Sequence, residues 1–302
     1  MFLITAIRRI LLVICSSLSD FLALGRLYVW DFLLLLFNTL TPDLKQGKVI
    51  PSGHPGFNGE WPKYIAPAAG SKRSPCPGLN AMANHGIIAR DGRNIRFSEL
   101  PGAINKTFNI ATPFATLLSR QAAELLNRDP ATATMDLSDV NVHNVIEHDA
   151  SFCRQDIYDG DQSAPTADII EDLLASGTGT AGNLVPADLS TVLGRRRVRA
   201  KAANPQFGLT LGQKLIGSTN AALILRVFGG IVDDLRAFLL EERLPQGWEP
   251  RVRHRMGFSM IEMNFTIARV ELGVVEEVNG TLSKTVVQRE DVEPTVAASG
   301  SS

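Results

Sequence analysis

Residues Arg73 to Gly86 read RSPCPGLNAMANHG, a lone cysteine set between two prolines at the mouth of a helix-prone run. Proline suits the first helical position, where its missing N–H is no loss, so Pro77 makes Cys76 the N-cap of a short helix closed by Gly86. There a sulfur faces unpaired backbone N–H groups and the positive end of the helix dipole, which favour thiolate over thiol. Pro75 holds the approaching chain extended and restricts Ser74 as well. A thiolate so held is a nucleophile or a soft metal ligand. Taken alone, a cysteine at a helix start is more often a small buried residue, so the rest of the chain has to decide.

Outward from this segment the pattern is helical. Apolar positions recur at three- and four-residue spacing over Thr112 to Asn127, Val140 to about Arg154, Thr166 to Ala175 and Pro186 to Arg197. The same spacing continues over Thr219 to Phe228, Ile231 to Arg243 and Met260 to Val270, often behind a Ser, Thr or Asp. Strand-like alternation is sparse, which predicts an all-α body. The expected organisation is a hydrophobic leader or anchor over 1–41, a Pro/Gly-rich linker over 42–75, the domain proper over 76–273, and a disordered tail over 274–302.

Composition sets the outer bounds. With 302 residues and 45% hydrophobic content the chain can bury one large core. Its formal net charge of -1 gives no broad basic surface, so nucleic acid is not an expected partner. The one basic run, RRRVRAK from Arg195 to Lys201, reads as the solvated end of a helix. Cys15, Cys76 and Cys153 are too few for a disulfide framework.

In the leader, Arg8 and Arg9 precede an apolar run, and a second apolar run covers Phe21 to Leu40. The second is long enough to cross a bilayer. Arg26 and Asp31, at about +3 kcal/mol each near a helix centre, offset about -0.5 kcal/mol from each Leu, Phe and Val. A spanning anchor, an interfacial helix and an uncleaved leader all fit, and membrane association is the expectation. Sequons at Asn105, Asn264 and Asn279 suit a glycosylated body in the secretory lumen or outside the cell.

A second cluster lies at 143 to 151, HNVIEHDAS. On the helix expected there, Glu147 and Ser151 share a face on which a carboxylate and a hydroxyl can hold a hard cation. His148 turns about 100° away into different space. EHD alone is most often a solvated polar face. Its weight comes from being paired with the cysteine motif.

Together these motifs resemble the fungal haem-thiolate peroxidases of the chloroperoxidase and unspecific peroxygenase group. Pro75-Cys76-Pro77 with NAMANHG, and Glu147-His148-Asp149 with Ala150-Ser151, carry the likeness. It extends more loosely through ARDGRNIRFSEL, RRRV, NPQFGL and EERLPQGWEP. The resemblance implies a chloroperoxidase-like helical fold with a haem b whose axial ligand is Cys76, the thiolate's electron push favouring O–O cleavage. It implies that Glu147 and Ser151 bind a magnesium or manganese ion with a haem propionate, and that His148 lies on the distal side. Hydrogen peroxide and a lipophilic organic molecule would be the substrates, oxidised or halogenated, with fungal secondary metabolism a fitting setting.

One departure stands out. In short members of the family a distal glutamate shuttles the peroxide proton, and the spacing puts Asn220 at its place. An amide donates a hydrogen bond but exchanges no proton near neutral pH. The alternative expectation is therefore a haem-thiolate protein with non-peroxide chemistry, an isomerase, cyclase or ligand binder. His148, Asp149 or Glu171 would otherwise have to serve as the base. Of the remaining residues, His85 is expected to cap a helix carbonyl, His143 to lie at the surface or just behind the site residues, Cys153 to be a buried thiol, and Phe108, Phe114 and Phe228 to be core.

Overall fold

The structure is a computed structural model that describes residues 22–143 and 147–276. Helices dominate the described residues, as expected for an all-α, chloroperoxidase-like fold. They are α1 (Leu22–Leu40), α2 (Pro77–Asn84), α3 (Leu100–Phe108), α4 (Thr112–Leu125) and α5 (Ala167–Leu174). Then follow α6 (Pro186–Ala203), α7 (Leu211–Val227), α8 (Val232–Leu240) and α9 (Met260–Glu271). A two-residue ribbon, Ile95–Arg96 antiparallel to Thr134–Met135, ties the loop after α2 to the loop after α4.

Local chemistry sets the helix starts. Prolines occupy the first turns of α2, α3, α4 and α6. Capping boxes open α7 and α9: Gln213 N–H donates to Thr210 Oγ1 at 3.3 Å, and Glu262 N–H donates to Ser259 Oγ at 3.2 Å. Two features depart from the sequence expectation. Helix α3 formed where Pro101 and Gly102 had masked it, and α7 begins at Leu211 rather than Thr219 because Thr210 caps it across Gly212 and Gly217.

The packing centres on α7 against α9, with α6 beside both; α3 lies on α4, and α8 on α5 and α2. An aromatic cluster fills one end of the core, with Phe228 stacked 4.8 Å from Trp248 and 4.3 Å from Phe238. Phe108 and Phe114 are also buried, as expected. The extended 42–75 stretch lies on this cluster: Trp61 is buried and donates its indole N–H to Trp248 O at 2.9 Å. His85 ends α2 but does not cap it with its ring. Its Nδ1 pairs with Pro62 O at 2.6 Å and its Nε2 accepts from Leu244 N–H at 3.0 Å, joining the extended stretch to the loop after α8.

Two expectations fail here. The segment expected as a helix from Val140 to Arg154 is a 3-10 turn, Leu137–Val140, followed by irregular chain; residues 144–146 lie outside the described residues. Ala150 takes a left-handed φ of 62°, its N–H donates to Asp156 Oδ1 at 2.9 Å, and Gly208 N–H donates to Asp149 Oδ2 at 3.0 Å. These side-chain carboxylates supply the backbone with partners that compete with helical ones. The basic run is likewise not a solvated helix end. It lies inside α6, where Arg197 is buried and grips Glu271 at 2.7 Å and Glu276 at 2.9 Å, while Arg195 pairs with Asp172 at 2.7 Å.

Helix α1 docks on the body along one stripe. Asp31 is fully buried and accepts from the N–H groups of Met260 and Ile261 at 3.0 Å each, so it caps α9 from outside the helix. Asn38 donates to Gly257 O at 3.0 Å and accepts from Met256 N–H at 2.9 Å.

Candidate functional site

Cys76 stands where the sequence placed it, as the extended N-cap before Pro77. Burial raises the pKa of its thiol, and this outweighs the N–H groups of Leu79 and Gly78, which pull it down together with Arg154. The helix end by itself therefore does not make a thiolate. A metal does, because a coordinating thiol gives up its proton. Cys76 as a residue is nonetheless exposed, although the atoms packed around its thiol desolvate the sulfur. Gly78 lies beside the sulfur: a Cβ there would stand 3.7 Å from Sγ and 3.5 Å from the Phe108 ring, ordinary contact distances.

The loop carrying the sulfur is locked from behind. Ser74 N–H donates to Asn80 Oδ1 at 2.9 Å, Asn80 Nδ2 donates to Ser74 O at 2.7 Å, and Cys76 N–H donates to Ser74 Oγ at 3.3 Å. Asn80 Nδ2 also donates to Glu242 Oε1 at 2.8 Å, and that oxygen accepts from Arg154 Nη2 at 2.5 Å. Arg154 is fully buried and leaves Nε without a partner. Nothing in the sequence singled out this pair, whose members are 88 residues apart.

The second motif forms a buried turn. Glu147, His148, Asp149 and Ser151 are all buried, but not on one helical face. Burial pushes the Glu147 carboxyl up to about 8, against the pull of Arg154, and its Oε1 has no partner. His148 is held neutral, because burial lowers its pKa. Its Nδ1 lies 2.7 Å from Asp149 O, the arrangement of a donating N–H, which leaves the Nε2 lone pair free. The ring lies against α7 at Gly217, where a Cβ would meet Cε1 at 3.4 Å. Asp149 Oδ1 is unpartnered, with His143 Nε2 3.8 Å away, so His143 is a neighbour of the motif and half-buried. Cys153 is a buried thiol whose pKa burial also raises.

Arg154 joins the two motifs: its charge pulls down both the Cys76 thiol and the Glu147 carboxyl. Asn220 lies on α7 one turn beyond Gly217, exposed and without a hydrogen bond among the described residues. Glu171 pairs with Arg236 on the α5–α8 surface. Among the described residues no group of three or more His, Cys, Asp and Glu side chains is arranged to hold a metal ion.

A family model described as Peroxidase, family 2 matches residues 62–253, a span that contains Cys76, the Glu147–Ser151 turn, Arg154, Asn220 and Glu242. The chain belongs to the family 2 peroxidases. It is 35% identical over 112 residues to a chloroperoxidase of Leptoxyphium fumago, covering 36% of this chain and 30% of that protein. It is 28% identical over 186 residues to a dothistromin biosynthesis peroxidase of Dothistroma septosporum, 55% of this chain and 44% of the relative. An aromatic peroxygenase of Coprinellus radians is 29% identical over 158 residues, 47% of this chain and 60% of that protein. The chain thus spans less than two thirds of the length of each of these relatives. Membership implies a haem with a cysteine thiolate ligand. The family 2 peroxidase site described above fits such a group: an exposed cysteine at a helix N-terminus, and a buried carboxyl oxygen that lacks a partner.

Proposed function

We propose that this family 2 peroxidase uses hydrogen peroxide to oxidise or halogenate a lipophilic organic molecule at a haem held by Cys76. The observation that carries the reading is the exposed Cys76 at the N-terminus of α2, with Arg154 in electrostatic reach of both its thiol and Glu147. The haem, when bound, supplies peroxide activation, favoured by electron donation from the thiolate.

Each residue has a distinct task. Ser74 and Asn80 hold the Cys76 loop rigid, and Gly78 adds no side chain beside the sulfur. Glu147 and Ser151 would hold a magnesium or manganese ion, whose charge would satisfy the orphaned Glu147 Oε1. His148, neutral and with Nε2 free, accepts and returns a proton. Asn220, an amide without a partner, donates a hydrogen bond but moves no proton. The apolar α1 attaches the enzyme to a membrane, where lipophilic substrates concentrate, and the dothistromin relative supports a place in fungal secondary metabolism.

The test is the carbon monoxide difference spectrum of the reduced protein beside its Cys76→Ala variant. A red-shifted Soret band that disappears in the variant is expected. Absence of haem, or a band untouched by the substitution, overturns the reading. Asn220 favours a second reading, a haem-thiolate protein with isomerase, cyclase or ligand-binding chemistry. Thiolate-bound haem with no turnover of simple peroxygenase substrates by peroxide would select it.

A further inference from the structure

Helix α1 has the length and composition to cross a bilayer, with 19 residues at a mean hydropathy of 1.3. Its contacts with the body run along most of that length. Leu27 packs on the core, Asp31 and Asn38 are buried, and Leu34 and Leu35 are half-buried between them, a stripe at three- and four-residue spacing. Beyond the helix, Leu44 N–H donates to Arg253 O at 2.8 Å and Arg255 Nε donates to Pro42 O at 3.0 Å. The opposite face, Leu22, Val29, Trp30, Leu33, Leu36 and Phe37, is exposed. A docked helix that spanned the bilayer would draw the first turn of α9 and the polar 253–257 loop into hydrocarbon, where irregular backbone finds no partners.

We propose that α1 is an in-plane, monotopic anchor whose outer face rests at the boundary between phospholipid headgroups and acyl chains, while its inner stripe fastens the catalytic body to that surface. The proposal rests on the membrane attachment proposed above and specifies its mode. The apolar surface does not stop at α1. Asn264 Nδ2 donates to the Tyr28 hydroxyl at 3.3 Å, and the next residue on α9, Phe265, is 73% exposed, so the lipid-facing area continues onto the body. Charge points to the same occupant. Arg26 lies on the exposed side of α1, and Lys45, Arg253 and Arg255 are exposed near its C-terminal end, as suits anionic headgroups. Both ends of α1 then lie on the same side of the membrane as the site.

Trp30 sits near the middle of α1, so its depth separates the modes. The full-length protein is mixed with vesicles of phosphatidylcholine and phosphatidylserine whose phosphatidylcholine carries bromine near either the headgroup or the methyl end of its chains. Tryptophan quenching is read against a Trp30→Phe control that leaves only the buried Trp61 and Trp248. Stronger quenching by the shallow bromines is expected, and lost binding when Leu33 and Leu36, both exposed, are replaced by Glu. Stronger quenching by the deep bromines means α1 spans; attachment then stands and the in-plane mode is overturned. No quenching by either, with the protein left in the aqueous fraction, overturns attachment itself, as it would if a second copy of the chain covered this face.

Discussion

At the residue scale the site depends on a few side chains with no latitude. Arg154 and Glu242 form a buried ion pair whose single carboxylate oxygen also steadies Asn80, and through it the Cys76 loop. Such a pair gives little net stability but strongly penalises removal of one partner, so it fixes geometry. Asn220 is the residue at which the proposed peroxide chemistry is most directly tested. Because it is exposed, has no hydrogen bond among the described residues and lies one turn from the helix position facing His148, Asn220→Glu places a proton-exchanging carboxylate on that side without breaking a contact. Peroxide-driven turnover should rise on the order of 10²-fold, the low end of general acid–base contributions. Unchanged kcat/KM, in a variant whose thiolate–haem spectrum is normal, would show that α7 does not present this position to peroxide.

At the element scale the start of α9 concentrates polar contacts. Ser259 and Glu262 cap each other, Asp31 accepts from the N–H groups of Met260 and Ile261, and His254 Nδ1 lies 3.2 Å from Glu262 Oε1 in an ion pair. Glu262 raises the pKa of His254, against the effect of burial. A group whose pKa is raised on folding stabilises below its unfolded pKa, about 6.5, and loses that contribution as pH rises through the folded value. Urea unfolding of the wild type should therefore weaken relative to His254→Gln as pH rises above about 6.5, by roughly 0.5–1 kcal/mol for a partly exposed pair. Parallel pH profiles for the two proteins would show that the pair contributes nothing. The elements themselves were largely readable: proline-opened α2, α4 and α6 and Ser-capped α9 followed from local rules, whereas α3 did not. The 140–154 segment was not, since Asp149 and Asp156 take their partners from Gly208 and Ala150, contacts that no helical period encodes.

At the scale of the whole molecule, α1 and the 42–75 stretch are joined to the body by side chains that read as defects in sequence. Asp31 looks like an obstacle in an apolar run, yet it is the cap of a helix more than two hundred residues further along. Replacing it with Ala should lower stability by about 1–2 kcal/mol, the usual loss for a cap, and release α1, seen as faster proteolysis near Leu40 to Lys45. Unaltered melting and unaltered cleavage would mean the docking is not held by this carboxylate. The same distinction holds for the sequons: in the folded chain the Asn105 amide donates to Ile110 O at 2.8 Å and Asn264 to Tyr28, while Asn279 lies outside the described residues. The sequence by itself determined the helical class, the cysteine at a helix N-terminus and the membership in the family, because periodicity, proline placement and motif order are local properties. Only the tertiary structure decided that Glu147 to Ser151 form a buried turn, that Arg154 and Glu242 stand behind the sulfur, and which face of α1 is covered. Those outcomes depend on desolvation and on partners distant in the chain, and no local pattern carries that information.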